Sequence, residues 1–112
     1  MNSKPVIALP ELAEDLRLGK AHYASWRSDG AEHFLGKFLE TVDFIGRTPD
    51  AFPRKYGPVQ RALLEHSFYI AYFIQEPDRS VVLAVLDGRR SPREIRRLVG
   101  FRRLLTRPSA DE

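Results

Sequence analysis

The chain has 112 residues, 43% hydrophobic and 29% charged, a balance that suits one globular domain and excludes wholesale disorder. It contains no cysteine, so disulfide scaffolds, thiolate zinc sites and thiol nucleophiles are excluded. The net charge of +3 is unevenly placed: residues 1–53 carry six basic and eight acidic side chains, residues 76–107 nine basic and four acidic.

A basic C-terminal half points to an anionic partner, either nucleic acid or an acidic protein segment; a merely solubilising face is the alternative. The longest apolar run, residues 81–86, is too short to span a bilayer, and residues 1–5 lead into no signal-like apolar stretch. A soluble, cytoplasmic protein is therefore expected. One domain over residues 1–105 with a flexible tail at 106–112 is the expected organisation.

Val6, Ile7, Ala8 and Leu9 form a short β-prone run that stops at Pro10. Pro10 suits a first helical turn, and Glu11, Glu14 and Asp15 follow where negative charge favours a helix N-terminus. Leu12, Leu16, Tyr23 and Trp26 then mark one helical stripe, interrupted by Gly19. Asp29 with Glu32 resembles a capping arrangement for a second helix. Its apolar face is Phe34, Phe38, Val42 and Ile45, flanked by Leu35 and Leu39, and Gly46 and Pro49 stop it. Two antiparallel helices joined by a short turn are expected.

Residues 48–58 read as a loop, punctuated by Pro49, Pro53, Gly57 and Pro58. Residues 59–66 and 67–75 read as strands, the second rich in β-branched and aromatic side chains. A turn at 76–79 leads to a third strand at 80–86, which is apolar on both faces and so central in its sheet. Ser91, Pro92, Arg93 and Glu94 spell a capping box with proline at the first helical position. A short basic helix follows, with Ile95, Leu98, Val99 and Phe101 as its apolar side. The expected class is α+β: an N-terminal strand, a helical hairpin, a three-stranded antiparallel meander and a short C-terminal helix.

No glycine-rich phosphate loop, nucleophile elbow or dinucleotide fingerprint is present. His22, His33 and His66 lack metal-ligand spacing, so no metal or other cofactor is expected. Glu14 and Asp15 are explained by their place at a helix start rather than by acid–base chemistry. Two basic clusters remain. One is Arg54 and Lys55 with Arg61; the other is Arg89 and Arg90 followed by Arg93, Arg96, Arg97, Arg102 and Arg103. Arginine suits bidentate contact with phosphate or carboxylate. For Arg96, Arg97, Arg102 and Arg103 a solvated helix face is the competing explanation.

Several segments resemble one known family in joint order and spacing. They are Leu9-Pro10-Glu11-Leu12-Ala13-Glu14-Asp15-Leu16, then Phe34-Leu35 and Phe38-Leu39, then Thr48-Pro49 and Phe52-Pro53. The best match is Val82-Leu83-Ala84-Val85-Leu86-Asp87-Gly88-Arg89-Arg90-Ser91-Pro92. Together, over residues 5–98, they resemble the RelE/ParE superfamily of bacterial toxins, often labelled plasmid stabilization proteins.

The resemblance implies a type II toxin–antitoxin toxin, with two mechanisms to choose between. RelE-like members are metal-independent, ribosome-dependent mRNA endonucleases that use basic residues and often a C-terminal Tyr or His. ParE-like members bind and poison DNA gyrase. Here no Tyr follows Tyr72 and no His follows His66, and arginine is a poor proton donor. The ParE-like branch is therefore expected, with Arg61, Arg89, Arg90, Arg93, Arg96 and Arg97 as target contacts. A nuclease would instead use Arg54, Lys55, Arg61 and Arg89. A third alternative is a non-toxic member that only binds an antitoxin. The partner implied is a cognate ParD-like antitoxin, with Leu16, Tyr23 and Trp26 as candidate anchors whose alternative is core packing. Asp87 stands where many members have His, a departure that bears on toxicity and that a plain turn also explains.

Overall fold

The structure is a computed structural model and describes residues 3–106. Its elements are β1 (Val6–Ala8), α1 (Leu12–Ala24), α2 (Gly30–Arg47), a 3₁₀ turn (Pro49–Ala51), β2 (Arg54–Tyr56), β3 (Val59–Leu63), β4 (Tyr69–Gln75), β5 (Ser80–Asp87) and α3 (Pro92–Leu104). The strands form one sheet in the order β1-β5-β4-β3-β2, with β1 parallel to β5 and the other pairs antiparallel. The class is α+β, as expected, with the predicted order of helices and strands. From residue 107 on, the predicted tail lies outside the described residues.

The meander has four strands rather than three. Residues 54–56, read as loop, form an edge strand held only through Arg54 opposite Gln60 and Tyr56 opposite Val59. Three residues between Pro53 and Gly57 are too few to show a period, so the sequence pattern hid them. The two strands that follow are shorter than expected, β3 ending at Leu63 and β4 beginning at Tyr69. His66 sits in the turn between them at φ 58°, a left-handed position.

Each face of the sheet carries helix, which explains why β5 is apolar throughout. On one face, Leu12, Tyr23, Phe34, Phe38 and Ile45 of the hairpin pack on Ala62, Ala71, Phe73, Val82 and Val85. On the other, Ile95, Leu98 and Val99 of α3 pack on Val59, Tyr72, Val81, Leu83, Ala84 and Leu86. A bulge sets this partition: Tyr72 lies opposite Ala84 and Phe73 opposite Val82, leaving Leu83 as the extra residue of β5. Leu83 and Ala84 consequently both face α3, and the alternation along β5 changes phase.

Gly19, which interrupts the sequence pattern, is where the two hairpin helices touch. A Cβ at Gly19 would run into the Phe34 ring, so glycine lets α2 approach closely and α1 continues through it. Asp29 does not cap α2; its carboxylate pairs with Arg27 at 2.5 Å instead. Ser91 does cap α3, its Oγ accepting from the Glu94 amide at 3.5 Å. Phe101, expected on the apolar side of α3, is 58% exposed.

Candidate functional site

Helix α3 carries two interleaved stripes, each at spacing i, i+3, i+4, i+7. Ile95, Leu98, Val99 and Arg102 face the sheet. Arg93, Arg96, Arg97 and Gly100 face outward and, with Pro92, line one wall of a groove of about 620 Å³. The opposite wall is Lys55 and Tyr56 of β2. Tyr56 stacks on Tyr72 at 6.3 Å, and the Lys55 ammonium lies 5.9 Å over the Tyr56 ring. Burial pushes the Tyr72 phenol up, and the nearby Tyr56 adds to this while Arg61 opposes it. Among the described residues, no carboxylate lies within ion-pairing distance of Lys55, Arg93, Arg96 or Arg97. Gly100 contributes to the opening, since nothing lies within 4 Å of where its Cβ would stand.

What holds α3 in place is a side chain first counted with the solvated or target-facing arginines. Arg102 is 7% exposed and grips Asp15 of α1 with both terminal nitrogens, at 2.6 and 2.9 Å. Its Nη1 also donates to the Leu83 carbonyl at 3.0 Å, while Asp15 Oδ2 accepts from the Val85 amide at 3.0 Å. The three-residue β1 ends opposite Val82, so β5 beyond that point lacks a strand on this side. The ion pair supplies the hydrogen bonds that a longer β1 would have made. Asp15 is thus not a helix-dipole residue, as its position in α1 suggested, but a buried tie between α1, β5 and α3.

The other candidate residues do not line this groove, although Arg61 lies opposite Tyr72 beside it. Arg61, on the exposed side of β3, lines a recess of about 320 Å³ with Phe52, Pro53, Leu63 and Ile70. Arg89 is held by Asp87, Nη2 to Oδ2 at 2.8 Å, and its guanidinium lies 4.2 Å over the Phe68 ring. Those hydrogen bonds keep the Asp87 carboxyl below its ordinary value and the Arg89 guanidinium above its own. Arg90 lines a separate recess of about 270 Å³ with Asp15, Leu18 and Tyr69. Arg54 is exposed on β2. Lys55 lines the α3 groove and Arg61 the recess beside Pro53, while Arg54 and Arg89 line neither.

Of the candidate antitoxin anchors, Tyr23 is 6% exposed and in the core, and Leu16 packs against the same core. Trp26 lies beyond the end of α1 and is 63% exposed, with His22 at 4.9 Å and Tyr23 at 5.4 Å. Among the described residues no three His, Asp or Glu side chains are placed to hold a metal ion, and no helix is long and apolar enough to cross a membrane. Tyr56 is the groove residue that sequence reading missed; the signal was a lone aromatic beside Arg54 and Lys55 in a proline-bounded segment.

No family model and no curated protein matches the chain. In structure it is similar to a solved chain of the chromosomal ParDE TA system from P. aeruginosa. The two share 18% identity and a TM-score of 0.63, over 78% of this chain and 98% of that one. The fold is therefore the ParE-like α+β fold that the sequence resemblance implied.

Proposed function

We propose that this chain is the toxin of a type II toxin–antitoxin pair, a ParE-like inhibitor that acts by binding DNA gyrase and is neutralised by a cognate ParD-like antitoxin. The observation that carries the reading is the shared fold with a chain of a ParDE TA system over 98% of that chain. Two further features support it. The cationic groove on α3 holds no histidine or carboxylate, so it suits binding an anionic surface better than proton transfer. Of the four basic residues that a nuclease would combine, Arg54, Lys55 and Arg61 lie on the paired strands β2 and β3, while Arg89 is tied to Asp87 beyond the end of β5.

In this reading Arg93, Arg96 and Arg97 meet the target, with Arg61, Arg89 and Arg90 flanking them. The antitoxin covers apolar surface left open by the fold. Trp26 is the anchor offered at the hairpin turn, with Leu18, 49% exposed, on the preceding helix α1. Tyr23 supports Trp26 from beneath, and a coupled-folding amphipathic segment is the expected partner form.

One observation favours the ribosome-dependent endonuclease: Tyr56 lines the groove with Lys55 and three arginines, where an acid–base group would be wanted. Induction of the chain separates the readings. Growth arrest relieved by co-expression of a small adjacent gene, with intact message ends in primer extension, supports the binding inhibitor. Cleavage at A-site codons supports the endonuclease, and growth without arrest removes the toxin reading altogether.

A further inference from the structure

We infer that the outer side of α3 docks reversibly on an anionic lipid bilayer. Its last turn enters the boundary between headgroups and acyl chains, and its arginines meet the headgroups. The inference does not rest on the proposed function.

Helix α3 meets the sheet through Ile95, Leu98, Val99 and Arg102. Three further large apolar side chains lie outside that contact: Phe101 and Leu104 are each 58% exposed, and Leu105 is 44% exposed. At i, i+3 and i+4 they form one patch around the end of the helix. Arginines continue it towards the N-terminus. Arg93, Arg97, Phe101 and Leu104 stand at i, i+4, i+8 and i+11, within about 80° around the helix axis and about 16 Å along it. Arg96 and Arg103, at i and i+7, flank this row on the β2 side: Arg96 lines the groove with Lys55, and Arg103 Nη1 stands 3.9 Å from where a Cβ on Gly57 would lie. Among the described residues, none of these four arginines has a carboxylate within ion-pairing distance. Glu94, the one carboxylate of α3, sits in its first turn, away from the apolar end. The Asp15–Arg102 pair pins the last turn to α1, so the patch is held outward on a fixed helix.

A partner for this face must be anionic and apolar at once. A nucleic acid strand supplies the anions but leaves Leu104 and Leu105 in water. A second copy meeting this face with its own would set arginine against arginine. A protein partner anchors such side chains in pockets shaped to receive them, whereas a bilayer takes up a convex helix face without any matching shape. Anionic headgroups over acyl chains offer both chemistries, at different depths. Phe and Leu side chains enter the acyl boundary, and long arginine stems let their guanidinium groups stay among the headgroups. Because the arginines lead the row and the apolar residues end it, the last turn lies deepest.

The test is co-sedimentation of the purified full chain with vesicles of phosphatidylcholine alone and of equal parts phosphatidylcholine and phosphatidylglycerol. Phe101→Ser/Leu104→Ser is compared with Leu39→Ser/Phe44→Ser, which removes comparably exposed apolar side chains from α2. Circular dichroism confirms that each variant is folded. Binding is expected on the anionic vesicles alone, weakened at least tenfold by Phe101→Ser/Leu104→Ser and under about twofold by the α2 pair. Arg93→Gln/Arg97→Gln should weaken it on the order of tenfold. A second measurement needs no loss of apolar surface: in Trp26→Phe/Phe101→Trp the single indole should shift its emission to the blue on anionic vesicles and be quenched by brominated acyl chains. The inference is overturned if the anionic vesicles bind no chain, if the two apolar pairs lose equally, or if the introduced indole stays in water. Loss confined to Arg93→Gln/Arg97→Gln marks a purely ionic surface and overturns it too. So does a dimer of the free chain that Phe101→Ser/Leu104→Ser dissociates, which assigns the patch to a second copy.

Discussion

At the scale of single residues, the Asp15–Arg102 pair decides more than any other contact outside the apolar core. Breaking a buried ion pair leaves an uncompensated charge, so Arg102→Ala is expected to lose about 3–5 kcal/mol of stability. Removing both charges with Asp15→Leu/Arg102→Met relieves that penalty but still strands the Val85 amide and the Leu83 carbonyl. The double variant should therefore fall between the single variant and the wild type in urea denaturation; a double variant as weak as Arg102→Ala would contradict this account. His66 offers the opposite sign: at φ 58° it occupies a conformation that glycine adopts freely. His66→Gly should gain up to about 1 kcal/mol, read as a raised Tm. Asp87 links stability to pH. Arg89 holds its carboxyl below the ordinary 3.8, so its contribution is complete at neutral pH and fades as pH falls through the lowered folded-state value. The stability difference between wild type and Asp87→Asn should accordingly stay constant from about pH 7 to 5 and shrink below about pH 4.

At the scale of elements, α3 shows what a linear pattern can and cannot reveal. Its start was legible, because Ser91, Pro92 and Glu94 are local signals and the cap forms where they stand. Its core stripe of Ile95, Leu98 and Val99 was legible for the same reason. Arg102 was not, since it extends that stripe to a partner 87 residues away on another helix, and nothing near Asp15 or Arg102 announces the pairing. Periodicity likewise misplaced Trp26: the stripe through Tyr23 predicts burial, but α1 ends at Ala24 and the indole turns outward. β2 was invisible because an edge strand of three residues has no period to detect. With it went Tyr56 and the second wall of the groove, so the arginine row was seen without the surface it faces. Gly100→Ala tests the structural side of that groove: it should stabilise α3 by about 1 kcal/mol in thermal unfolding, because the site has room for a Cβ.

At the scale of the whole molecule, the sheet separates two surfaces of different character. The α3 side presents the cationic groove. At the far end of the hairpin, Phe44, Phe52 and Leu63 line a mostly apolar groove of about 610 Å³, rimmed by Glu40, Glu65 and His66. The net charge of +3 hides this division, because acidic and basic halves of the chain nearly cancel. A binding inhibitor controlled by an antitoxin needs a surface for its target and a surface for its keeper, and in the proposed reading these are the cationic groove and the exposed apolar surface around Trp26. The proposed activity depends on the cationic side. The most direct measurement is ATP-dependent supercoiling of relaxed plasmid by gyrase, with purified wild-type chain and with Arg96→Gln/Arg97→Gln. The account predicts inhibition by wild type, weakened by on the order of tenfold in the variant. Full supercoiling at a large molar excess of wild-type chain would contradict it.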